Sequence, residues 1–178
     1  MKMKAYSKSY ILLFLVFTLL FMTGCSSKMM EEPSIKIVAN NEEIKAIYYG
    51  DKYNKTNEEI ETRLKSAMEG KSLEDLPYIA LNEKIIIETE NFQTEEFEIL
   101  DYIITETGEF RYDEKTVYSS VIPVNDGKAT ITLSPTFVTN LSSENKDYLP
   151  GKTIRCFVIR ADIEGSSFAF AFILRTDS

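Results

Sequence analysis

Apolar and polar residues follow one another along this chain in three regimes. From residue 11 to residue 22 the run ILLFLVFTLLFM has a single polar member, Thr18. After a short polar stretch the period becomes two: Ile35 and Ile37 alternate with polar neighbours in SIKIVA. Ile44, Ala46 and Tyr48 do the same in EEIKAIYYG, and Asn40-Asn41 stands between the two stretches. Period two marks a half-buried strand, and asparagine tolerates the left-handed backbone of a tight turn, so this region predicts a β-hairpin. In TNEEIETRLKSAMEG the period lengthens to that of a helix. Ile60, Leu64, Ala67 and Met68 recur at i, i+4, i+7 and i+8, Thr56 and Glu59 have capping-box spacing, and Gly70 supplies a stop. One side of this helix is oily and the other acidic, which predicts packing on the domain through the apolar stripe.

Period two returns after Pro77. EKIIIETEN predicts one strand and EFEILDYIITE another, the latter with Phe97, Ile99, Asp101 and Ile103 on one face and Leu100, Tyr102 and Ile104 on the other. Apolar groups on both faces point to a central strand. TVYSSVIPV and KATITL flank Asn125-Asp126-Gly127, a hairpin signal, and KTIRCFVIRAD and SSFAFAFILRT form a last pair around Glu164-Gly165. In the final strand Phe168, Phe170, Phe172 and Leu174 share one face, while Ala169, Ala171 and Ile173 share the other. The rings suit a core, and the small residues let a second layer approach closely. About seven strands with short turns give a mainly β domain, an antiparallel sandwich of two sheets over residues 34 to 178, with a helical insertion near 56 to 76.

The oily run belongs to a different kind of segment. MKMKAYSKSY ahead of it carries Lys2, Lys4 and Lys8 and no acid, the charged and apolar regions of an export signal. The run is short of the roughly 20 residues that a spanning helix needs. Met22-Thr23-Gly24-Cys25 then resembles the bacterial lipobox, with Met in the place usually held by Leu. The resemblance implies diacylglyceryl transfer to Cys25 and cleavage between Gly24 and Cys25. Residues 1 to 24 are then the signal peptide, and 25 to 33 a lipidated, flexible tether. At about 0.8 kcal/mol per buried methylene, two acyl chains hold a protein of this size stably. The expected location is the cell membrane, lipid-anchored, on the extracytoplasmic side.

Charge narrows the partners. Without residues 1 to 24 the chain keeps all 28 acids against 17 bases, a net −11. This disfavours nucleic acid and anionic headgroups, which select for clusters of Lys and Arg. There is no histidine, so the commonest general base, the orienting partner of Ser and Cys nucleophiles and the main nitrogen ligand of zinc are all missing. No catalytic residue, metal or cofactor is expected. Cys156, in KTIRCFVIR, has no partner once Cys25 is acylated and reads as a small buried hydrophobe. A body of about 150 residues buries enough surface to stand alone, and a monomer is expected.

The order of PSIKIVANNEEIKAIYYG, a connecting segment, later strand pairs and a terminal GKTIRCFVIRADIEGSSFAFAFILRT resembles a group of uncharacterised lipoproteins from low-GC Gram-positive bacteria. In those proteins a lipobox precedes a β-sandwich of immunoglobulin-like character, whose last hairpin carries an aromatic-alanine alternation like Ser167-Phe168-Ala169-Phe170. The relatives tend to carry a tryptophan after the tyrosine of the second strand. Here Tyr48-Tyr49-Gly50 leads instead to Tyr53 and the helix. The resemblance implies fold and location and brings no activity with it.

Two sets of residues are candidates for function. Tyr49 and Tyr53 lie where a strand meets the helical insertion, and Tyr78 falls at its far end. Tyrosine offers a flat apolar face and a hydroxyl, suited to sugar or peptide surfaces, so an insertion folded across one end of the sandwich would let these rings line a ligand groove. Glu88, Glu90, Glu95, Glu96 and Glu98 supply the carboxylates that glycoside hydrolysis would need. The leading expectation is a non-enzymatic interaction module for a protein or glycan of the envelope; the alternative is an accessory hydrolase or enzyme-inhibitor domain using acidic residues.

Overall fold

A computed structural model of the chain describes residues 31–50, 57–113, 116–142 and 145–178. The export signal, Gly24, Cys25, Tyr53 and Thr56 lie outside the described residues. The body runs from Glu32 to Ser178.

Among the described residues the chain forms nine strands and one α-helix: β1 (Ser34–Ala39), β2 (Glu42–Ile44), β3 (Ile47–Gly50), α1 (Asn57–Met68), β4 (Lys84–Glu90), β5 (Glu96–Ile104), β6 (Tyr118–Pro123), β7 (Lys128–Thr132), β8 (Thr153–Ile163) and β9 (Ser166–Thr176). All pairings between them are antiparallel. One sheet has the order β2-β1-β4-β7 and the other β3-β9-β8-β5-β6. The protein is therefore mainly β, with its two sheets packed as a sandwich.

The expected turns are present, and each has positive φ at both central positions: Asn40-Asn41, Asp126-Gly127 and Glu164-Gly165. That geometry matches the right-handed twist of paired strands. The first and last join hydrogen-bonded neighbours, with Ala39 opposite Glu42 and Ile163 opposite Ser166. The middle one differs from the sequence expectation, because β6 pairs with β5 and β7 pairs with β4, in opposite sheets. The main chain on either side of that turn is already committed: the Val124 amide donates to the Glu95 carbonyl, and the Thr89 amide to the Gly127 carbonyl. A tight turn thus becomes a corner between sheets. The stretch EEIKAIYYG likewise is not one strand; it breaks at Lys45-Ala46, giving β2 to one sheet and β3 to the other.

Two cores follow from the alternation in the strands. Between the sheets, Ile37, Ile85 and Ile87 meet Phe97, Phe157, Phe170 and Phe172. On the other face of the five-stranded sheet, Ala169, Ala171, Cys156 and Val158 pack under Ile60, Leu64 and Met68 of α1. The small residues of β9 let the helix approach, so the second layer expected from that strand is α1. Burial, and then the negative charge of Asp101, pushes the Cys156 thiol far above its ordinary range. The turn after β5 latches the helix. Phe110 N–H donates to Glu61 Oε1 (2.7 Å), and Lys65 Nζ lies 3.0 Å from Glu109 Oε1. A Cβ on Gly108, whose φ is +83°, would stand 2.7 Å from the backbone of Leu64.

Candidate functional site

Because β6 and β7 leave the corner in different sheets, the gap between them widens with distance from the turn. It opens into a cavity of about 480 Å³ at the side of the sandwich. Ser120–Pro123 form one wall and residues 130 to 137 the other, with Ile99 and Phe157 behind. The segment after β7 is held in place by two main-chain bonds, Leu133 N–H to Glu83 O (2.9 Å) and Asn82 N–H to Leu133 O (2.7 Å). A 3-10 turn at Phe137–Asn140 then buries Val138 and Thr139 and leaves Phe137 outside. Tyr118, Val121 and Phe137 form an apolar rim, exposed by 59%, 59% and 65%. Large apolar groups left in water around a cavity mouth are the usual mark of a binding site.

The floor is charged. Asp101 of β5 and Arg155 of β8 point from neighbouring strands into the space between the sheets, and both are buried. Arg155 Nε donates to Asp101 Oδ1 at 3.1 Å and Nη2 donates to Oδ2, while Nη1 donates to the Ser134 carbonyl at 2.8 Å. The guanidinium also sits 5.1 Å from the centroid of the Phe157 ring. Two parallel bonds of this kind fix both side chains as one unit. Asp101 and Arg155 are the only charged residues among the described lining residues. Thr136 contributes a buried hydroxyl that has no hydrogen-bond partner among the described residues.

Of the tyrosines expected to line a groove, Tyr49 and Tyr78 are described, and one is buried while the other is at the surface. Tyr49 is a core residue, 2% exposed beneath α1, with the Arg63 guanidinium 5.3 Å from its ring centroid. Its position on β3 faces the helix layer, and burial there removes it from any ligand surface. Tyr78 is 41% exposed. Its hydroxyl donates to Asp177 Oδ2 (2.9 Å), which, with some burial, raises its pKa, and Arg175 lies over its ring. Tyr78 borders an open groove of about 970 Å³ between α1 and the β2–β3 crossing, whose lining includes charged residues such as Glu69, Lys45 and Arg63.

The glutamates are dispersed as well. Glu88 and Glu90 belong to one sheet, and Glu96 and Glu98 to the other. Glu88 bonds Lys128 Nζ (2.6 Å), a hydrogen bond that lowers its pKa, Glu90 accepts from Ser34 Oγ (2.7 Å), and Glu98 bonds Arg160 (3.1 Å). Among the described residues no three Asp, Glu or Cys converge as a metal would require. No helix among them is long and apolar enough to cross a membrane. Neither models of known protein families nor curated proteins give a match to the sequence.

Alternation along the strands does not reveal the cavity, although the sequence carries a signal of it. Asp101 sits at a core-facing register position in an apolar strand, and Arg155 does so in another. Two opposite charges at such positions announce a buried pair.

Proposed function

We propose that this protein is a lipid-anchored, extracytoplasmic binding module, with an immunoglobulin-like sandwich as its body and the cavity between β6 and β7 as its ligand site. The observation that carries the binding reading is the exposed rim of Tyr118, Val121 and Phe137 around a cavity whose own charges are already paired. A volume of about 480 Å³ falls within the roughly 300–1,000 Å³ typical of ligand pockets. Binding without catalysis fits the donor set, since the one carboxylate among the described lining residues is held by an arginine.

The anchoring is supported by the lipobox-like Met22-Thr23-Gly24-Cys25 behind its apolar run. Growing cells on an alkyne analogue of palmitate tests it. Label should enter the wild-type protein and be lost in Cys25→Ser, with the unprocessed precursor accumulating. Unlabelled wild type, or a Cys25→Ser form processed at the normal size, would sink the placement.

A further inference from the structure

We infer that the cavity between β6 and β7 takes an extended, uncharged segment of another envelope protein, which adds to the free edge of β6 as a further strand. This rests on the reading of that cavity as the ligand site.

The edge itself is the first argument. Among the described residues β6 ends its sheet and pairs with β5 alone. The Val124 amide donates to the Glu95 carbonyl (2.8 Å), and the register runs unbroken from Glu96 opposite Pro123 to Asp101 opposite Tyr118. Main-chain groups alternate in direction along an antiparallel pair. Those of Ile122, Ser120 and Tyr118 therefore point to β5, and those of Ser119 and Val121, with the Pro123 carbonyl, point away from the sheet. Pro123, which has no N–H, occupies an outward position, where it costs no ladder bond. Ser119 and Val121 are thus ready to pair with an added strand, and the side chains of Ser120 and Ile122 face the cavity beside it.

The walls are the second argument. Consecutive residues from both strands line the cavity, so it is bordered by strand edges with main-chain donors and acceptors, rather than by one apolar sheet face. An extended peptide satisfies such groups through its own backbone while alternate side chains enter the pocket.

Charge selects the occupant. Asp101 and Arg155 neutralise each other, so a charged side chain entering here would be buried without a counter-ion. Arg155 uses three of its five N–H groups on Asp101 and Ser134, which leaves donors for a neutral carbonyl. A second copy of this chain is a poor occupant, because each mature body carries 28 acids against 17 bases.

The full-length lipidated protein, immobilised in detergent micelles, is panned with a phage-displayed library of short random peptides. Enriched sequences should carry apolar residues at alternate positions and few charges. They should bind about tenfold more weakly to Val121→Pro and to Ser119→Pro, each of which removes one outward N–H and no β5–β6 bond. Thermal melts identify any variant that fails to fold. Ser120→Phe, which fills the cavity, should abolish binding. Peptides lost in Ser120→Phe but indifferent to both prolines overturn strand addition and leave the cavity as the site. A library that yields no enrichment overturns the inference; soluble envelope glycan strands whose binding is lost in Ser120→Phe would then reassign the cavity to glycan. Binding of either probe that survives Ser120→Phe removes the cavity reading itself. Dimers that Val121→Pro dissolves would assign the edge to a second copy.

Discussion

Removing Arg155 while keeping Asp101 is the sharpest test of how the cavity floor is held. Both side chains are almost fully out of water, at 3% and 5% exposure, and the guanidinium meets the carboxylate through two parallel bonds. Breaking a buried pair from one side strands a charge and costs about 3–5 kcal/mol, whereas replacing both partners with apolar groups is often neutral or stabilising. Here the pair borders the cavity, so water can reach an orphaned Asp101, and the lower end, about 3 kcal/mol, is expected for Arg155→Met. For a body of this size roughly 2–4 °C of melting temperature is lost per kcal/mol, giving a drop of about 6–12 °C. The double variant Asp101→Leu, Arg155→Met should recover most of that loss. The chain has no tryptophan, so melts are best followed by far-ultraviolet circular dichroism, with urea titration for free energies. A loss under about 1 kcal/mol in Arg155→Met, or a double variant that loses the sum of the two singles, would refute the reasoning.

Gly108→Ala should destabilise by about 2–4 kcal/mol, from its positive φ and from a Cβ placed against the backbone of Leu64, and hydrogen exchange should show α1 loosened before the sheets. The Cys156 thiol has a folded pKa raised far above its ordinary 9.0, so its contribution is full below that value and is lost as pH rises beyond it, at about 1.4 kcal/mol per pH unit. The stability gap between wild type and Cys156→Ala should therefore narrow between neutral and strongly alkaline pH in urea titrations. An unchanged gap would mean that the thiol is not buried. In native protein at neutral pH, Cys156 should resist thiol reagents that modify it rapidly in urea.

The sequence by itself determined most of the local structure. Alternation in SIKIVA, EFEILDYIITE and SSFAFAFILRT fixed which residues face inward, because a strand turns its side chains to opposite faces at every step. The stripe of Ile60, Leu64 and Met68 announced a packed helix, and the small residues of β9 announced a layer above them. Turn residues at Asn40-Asn41, Asp126-Gly127 and Glu164-Gly165 were legible because positive φ is a local demand on the backbone. Which strands share a sheet was decided only by the tertiary structure. The same turn chemistry serves a hairpin at Glu164-Gly165 and a corner at Asp126-Gly127, and what separates them is the distant claim of β4 and β5 on the flanking main chain. That corner creates the free edge of β6, the cavity and its aromatic rim. Tyr49 is buried under α1 because β3 joins β9, while Tyr78, outside the named strands, keeps its ring at the surface. The side that Tyr49 faces depends on the sheet its strand joins, and long-range pairing sets that choice.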